Sequence, residues 1–299
     1  MVEIHERLSA LDPVLGGVRG DIFTEETASA VEAFQRSRGL PITGVVDEDT
    51  WTRLDEARWR LGDRLLYLTK DYLRGDDVAD LQYRLSRLGF DPGRIDGVFG
   101  PLLDTALREF QDNCGRLKTG VMDRSTWIEL LRVTPTTPST TLVSDVRDAN
   151  QWRTARGPLI VWGHGCLADA LPRTVTRHVV VAPWSWSASE LASDANSRDA
   201  LVVIATNEVY DLSVLRLHYW AGYRTHSRSG ERLASTVMMN LAASNVDLRV
   251  EIHGMALPVM RETRMTTIHI EHGPLEPRVC ETVATHIHHS IESLFHTVH

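Results

Sequence analysis

The chain repeats itself once. With a constant offset of 76 residues, Phe34-Gln35 returns as Phe110-Gln111, Gly44-Val45 as Gly120-Val121 and Asp47 as Asp123. Thr50-Trp51 returns as Thr126-Trp127 and Leu54 as Leu130, without a gap. Upstream, Arg7-Leu8-Ser9 and Leu11 return as Arg84-Leu85-Ser86 and Leu88 after a slip of one residue. A period longer than a solenoid unit, present twice, describes two tandem copies of a small domain. Any chemistry is therefore left to the unique sequence that follows the second copy.

Each copy reads as a short helical bundle. Ala30 to Gln35 and Ala106 to Gln111 space apolar residues three and four apart, which is one face of a helix. A glycine turn follows at Gly44 or Gly120. Asp47 or Asp123 then stands where a carboxylate caps the helix carrying Trp51-Leu54 or Trp127-Leu130. Phe34, Trp51, Phe110 and Trp127 read as core. In the second copy Asp91 to Gly100 is a loop dense in turn formers.

Residues 134–157 read as a Thr/Pro-rich linker. From Pro158 onward, apolar runs (Leu159 to Val161, His178 to Val181, Leu201 to Ile204) alternate with helical patterns at Ser229 to Ala242 and Glu281 to Phe295. Thr266 to Glu271 reads as a strand ending on a carboxylate. Short buried strands between helices predict a mixed α/β sheet. The expected fold is thus two small all-α domains (1–60 and 61–133), the linker, and an α/β domain over 158–299.

Bulk properties exclude some functions. A formal charge of −8 argues against a nucleic-acid partner, which requires a basic face. No apolar run approaches the roughly 20 residues of a membrane span. The N-terminus lacks a basic region followed by an apolar core, so no export signal is read there. Three scattered cysteines, Cys114, Cys166 and Cys280, fit a reducing cytoplasm rather than a disulfide framework. Neither a phosphate-binding Gly-x-x-x-x-Gly-Lys-Ser/Thr loop nor a Gly-x-Ser-x-Gly elbow is present.

The Asp-Gly-x-Phe-Gly, Phe-Gln and Gly-x-x-Asp-x-x-Thr-Trp signatures of residues 1–133 resemble the peptidoglycan-binding domain type 1 family. That resemblance implies three-helix modules that dock on cell-wall glycopeptide, with muropeptide as a ligand. It is closer in the second copy, because Gly20-Asp21-Ile22-Phe23-Thr24 keeps the loop signature only in part.

Two blocks of the third domain resemble the zinc-dependent N-acetylmuramoyl-L-alanine amidases. They are Ile160-Val161-Trp162-Gly163-His164-Gly165, and Leu257 to Met265 followed by Ile268-His269-Ile270-Glu271-His272-Gly273. The resemblance implies a zinc held by two histidines and a glutamate, with a further glutamate as general base. His164 falls on the first histidine and Glu271 on the catalytic glutamate. Ala205, in Val203-Ile204-Ala205-Thr206-Asn207, falls on the second histidine and has no ligand atom. Cys166 to Arg177 offers only Asp169 as an acid, and Pro172 interrupts the helical pattern. One ligand of three does not hold zinc, so His164 and Glu271 read as vestiges and no cofactor is expected. Zinc is expected only if the domain is an active amidase.

Other histidines and cysteines offer candidate sets for a rebuilt zinc site, against a plainer reading as polar surface. On a strand, His269 and Glu271 share a face while His272 points away. His286 and His289 share a helical face. Cys166 with His164 and Asp169 makes an unorthodox set. Trp184 and Trp186, between turn formers, read either as local packing or, since interfaces favour Trp anchors, as a partner-contact candidate.

The whole order, two wall-binding modules and then a degenerate amidase domain, resembles the actinobacterial CwlM-type family. That implies a cytoplasmic regulator of peptidoglycan precursor synthesis. Such a regulator binds and stimulates the UDP-GlcNAc enolpyruvyl transferase MurA, or another cell-wall synthesis protein, under a Ser/Thr protein kinase. Family members carry a phosphorylated C-terminal tail, whereas this chain stops at His299, so phospho-control is either not expected here or is moved to the Thr-rich linker. The alternatives are an active zinc amidase and a muropeptide- or precursor-binding adaptor.

Overall fold

The computed structural model describes residues 2–11, 22–134, 142–154, 156–175, 178–244 and 246–296. The chain forms two compact units, Met1–Val146 with Gly222–Thr225, and Arg147–Ala221 with His226–His299.

The first unit holds both repeats, each of three helices. The first copy has α1 (Val2–Leu11), α2 (Glu25–Arg38) and α3 (Glu48–Ala57); the second has α4 (Asp76–Arg87), α5 (Pro101–Asn113) and α6 (Arg124–Val133). Leu8, Val31, Phe34 and Leu54 fill one core, and Leu85, Phe99, Leu107, Phe110 and Leu130 fill the other.

The repeated Phe-Gln has a clear physical cause. Gln35 donates from Nε2 to Thr43 Oγ1 (3.1 Å), Val45 O (2.9 Å) and Thr50 Oγ1 (3.0 Å). Its Oε1 accepts from the N–H of Thr43 (2.9 Å) and of Gly44 (3.0 Å). Gln111 repeats this, donating to Thr119 Oγ1 (3.0 Å), Val121 O (3.0 Å) and Thr126 Oγ1 (3.3 Å) and accepting from Gly120 N–H (2.9 Å). One buried amide thus closes the loop between two helices. Gly44 and Gly120 turn that loop at φ +68, a conformation glycine adopts freely. Asp47 and Asp123 cap α3 and α6 by accepting from Thr50 N–H (2.8 Å) and Thr126 N–H (2.7 Å). Those hydrogen bonds hold both carboxyls below the usual range.

The tryptophans differ from the expectation of core. Trp51 is 36% exposed, with the Arg7 guanidinium 4.6 Å above its ring. Trp127 packs at the edge of its core under Arg84 (5.3 Å). Each sits one residue beyond the buried threonine of its helix, on the outer side, where a cation over the ring covers it.

The stretch read as linker is in part helical. Residues 135–141 lie outside the described residues, but Val143–Thr154 forms α7. Its sequence has no proline, and Leu142 just before it is buried beside Ala79 and Ile95. The start of the first-copy loop, Gly20-Asp21, also lies outside the described residues.

The second unit is a mixed sheet with helices on both faces. Its strands are β1 (Leu159–Gly163), β2 (Val179–Ala182), β3 (Val202–Glu208), β4 (Leu215–Trp220), β5 (Val250–Met255) and β6 (Thr266–His272), in the order β2-β1-β3-β6-β4-β5. The first four in that order run parallel, and β4 is antiparallel to β6. One face packs Leu159, Val161, Ile204, Ile268 and Ile270 against α8 (Cys166–Thr174), α10 (Arg228–Ala242) and α12 (Pro277–His296). The other packs Ile160, Val203, Ala205 and Trp220 against α9 (Ala188–Ser197) and α11 (Pro258–Glu262). A central parallel strand is covered on both sides, so β3 opens with an unbroken apolar run, Val202 to Ala205. Helix α8 continues two residues past Pro172, further than the sequence pattern implied. Proline removes only its own N–H there, and the helix ends within the same turn.

Candidate functional site

The carboxyl ends of β1, β3 and β6 lie side by side, the edge where parallel α/β sheets place their ligands. His164 follows β1 on a turn between Gly163 (φ +131) and Gly165 (φ +94). It is exposed and belongs to neither cluster of metal-type donors found among the described residues. Ala205, on β3, is 0% exposed and in register with Trp162 of β1 and His269 of β6. Trp162 packs into the same apolar cluster and donates its indole N–H to Pro183 O (3.2 Å). Asp169 on α8 is exposed. A buried methyl and an outward imidazole do not fit the zinc that the amidase resemblance implies.

Glu271 sits in a different constellation. Its carboxylate is 3.2 Å from His218 Nε2 and 3.9 Å from Arg216 Nη1, both on the antiparallel neighbour β4. His269, two residues before it on β6, is the register partner of His218, with ring centroids 5.6 Å apart. His253 of β5 stacks on the other side of His218 at 5.7 Å. The hydrogen bond from His218 holds the Glu271 carboxyl below its usual range against the opposing effect of burial. Burial, then the neighbouring His218, pushes His269 down to about 4, with Glu271 acting the other way. His218 and His269 each have a buried Nδ1 without a hydrogen-bond partner among the described residues. His218, His269 and Glu271 each bring a donor atom within 4.8 Å of the others. The shared face of His269 and Glu271 was legible from strand periodicity. His218 was not, because its place follows from the β4–β6 pairing, which no local pattern announces.

His272 points to the opposite face of the sheet and groups with Cys166 and Glu208. Cys166 therefore joins residues other than His164 and Asp169. His286 and His289 stand edge to face at 6.4 Å and belong to neither donor cluster. Trp184 is 72% exposed, whereas Trp186 is half-buried against the α9 side of the sheet.

A tandem of three-helix modules followed by this α/β sheet defines a peptidoglycan-associated, amidase-like protein. Residues 1–54 and 74–130 match the family described as putative peptidoglycan binding domain. The chain is 29% identical over 292 residues to the N-acetylmuramoyl-L-alanine amidase CwlM of Mycobacterium tuberculosis, covering 85% of this chain and 72% of that protein. A shorter match, 45% identical over 58 residues, joins it to a spore cortex-lytic enzyme of Oceanobacillus iheyensis, covering 19% of this chain and 21% of that one. In sequence and in the order of its modules the chain is similar to the CwlM type.

Proposed function

We propose that this chain is a catalytically silent amidase relative that regulates peptidoglycan precursor synthesis in the cytoplasm. In this reading it binds and stimulates the enolpyruvyl transferase MurA, as its resemblance to the CwlM-type family implies. The observation that carries the silent half of the reading is Ala205. The residue in the second histidine's position is a fully buried methyl, packed in one apolar cluster with Trp162, and it carries no donor atom. Without a metal, a water at this edge keeps a pKa near ~15.7 rather than ~7, and a glutamate base has no activated nucleophile to work with. The test is direct: immobilised full-length protein is offered purified MurA, and the transferase rate is measured with and without it. Saturable binding with a rise in rate supports the reading; neither binding nor stimulation removes it.

One observation favours a second reading. His218, His269 and Glu271 offer two imidazoles and a carboxylate next to Ala205, the donor chemistry of a zinc tripod. If they hold zinc, the domain is an N-acetylmuramoyl-L-alanine amidase with a relocated centre. Against it, Glu271 is already engaged by His218 and would serve as ligand rather than as base. Muropeptide hydrolysis that depends on His218 and His269 would establish this reading in place of the first.

A further inference from the structure

The donor cluster on the other face of β6 has no part in either reading. Glu208 and His272 are the last residues of β3 and β6 and are register partners on parallel strands, so their side chains emerge on one side. Cys166 opens α8 just beyond β1. Its N–H donates to Glu208 Oε2 at 3.2 Å. The three side chains each place a ligand atom within 4.8 Å of the other two.

Glu208 alone has an ordinary explanation, since a carboxylate at a helix start satisfies free N–H groups. His272 does not. Its ring is 0% exposed, and Nδ1 lies 2.7 Å from Gly273 O, so Nδ1 carries the proton and donates it. Nε2 is then a bare lone pair, buried and without a hydrogen-bond partner among the described residues. A backbone carbonyl holding one ring nitrogen protonated while the other is left open is the arrangement by which proteins orient a metal-binding histidine. Gly165 gives the site room: at φ +94, a Cβ there would stand 2.6 Å from Glu208 Oε2.

We propose that Cys166, Glu208 and His272 form a binding site for a thiophilic divalent cation, zinc foremost. Thiolate, imidazole and carboxylate together are the donors of zinc and its neighbours, not of magnesium or calcium, which take oxygen. Tetrahedral zinc needs donors about 3.6 Å apart, from bond lengths of roughly 2.0–2.3 Å. Binding replaces the Cys166 thiol proton, which leaves to solvent. Three protein ligands leave a fourth position for water or a ligand atom.

The experiment is cobalt and zinc titration of the full-length, chelator-stripped protein, read by optical absorption and calorimetry. The site predicts one cobalt per chain with a thiolate-to-cobalt charge-transfer band, bleached by zinc. Cys166→Ser conserves shape, and with an unchanged melting profile it should lose that band and weaken zinc binding about a hundredfold or more. Glu208→Gln should weaken zinc while keeping the band, and His269→Gln should change neither. The proposal is overturned if no thiolate band forms at saturating cobalt. It is equally overturned if the band survives Cys166→Ser, or if metal uptake depends on His269 instead. Hydrolysis and MurA binding are not read here, so the outcome is independent of the regulator reading, whereas metal uptake through His269 would favour the relocated zinc centre.

Discussion

Ala205 and His269 are in register on adjacent parallel strands, a methyl group beside an imidazole at the edge where an amidase would hold its zinc. The donor has not moved within its strand; a different strand carries one. Because His269 pairs across to His218 on β4, its environment is set by a second histidine and by Glu271.

Restoring the missing ligand should therefore be costly. Ala205→His forces a ring into a packed layer between Trp162 and His269. We expect destabilisation of about 1–3 kcal/mol in urea unfolding and no additional zinc by calorimetry. Unchanged stability with an extra bound zinc would show that the pocket is open after all.

Acid should loosen β6. His269 is held near 4 in the fold against an ordinary value of 6.5. Below the ordinary value the unfolded chain takes up a proton that the folded ring refuses, so stability falls as pH drops through that window. At ~1.4 kcal/mol per unit the whole window is worth on the order of 3 kcal/mol. Glu271 adds to the loss at the acid end, because its folded pKa is depressed and its contribution disappears as pH falls through it. Hydrogen exchange of β6 amides should speed up from pH 7 toward 4.5, after correction for intrinsic rates, and His269→Gln should flatten the trend. Equal slopes in both proteins would contradict it.

The two glutamines should be equivalent. Gln35→Ala and Gln111→Ala each strip a loop of the amide that ties it, leaving buried groups such as the Gly44 and Gly120 N–H unpaired. Each is expected to lose about 2 kcal/mol, within the usual cost of orphaned polar groups. A large effect in one copy and none in the other would break the equivalence that the paired geometry implies.

Those glutamines show how far the sequence could be read. The repeat, the helix caps at Asp47 and Asp123 and the buried strands of a mixed sheet were legible because period, cap chemistry and apolar runs are local signals. The exposure of Trp51 was not, since it depends on Arg7 arriving from another helix. Nor were His218 beside Glu271, or Glu208 with Cys166 and His272. These sets are made by strand order and register, and residues far apart in the chain meet only after the sheet forms.

The tryptophan pair separates in the same way. Trp184 projects into solvent while Trp186 packs on the domain. Trp184→Ala should leave the melting temperature unchanged and weaken partner binding at least tenfold, about 1.4 kcal/mol. Trp186→Ala should instead destabilise the fold. Unchanged affinity for MurA in the Trp184 variant would remove it as an anchor.

The most direct test of the account is an amidase assay on the zinc-supplemented, full-length protein with a muropeptide carrying the muramoyl–alanine amide. A silent domain releases no peptide above the buffer rate, and Glu271→Gln behaves identically. Turnover in the native protein that Glu271→Gln abolishes would contradict the central claim and establish a working catalytic centre.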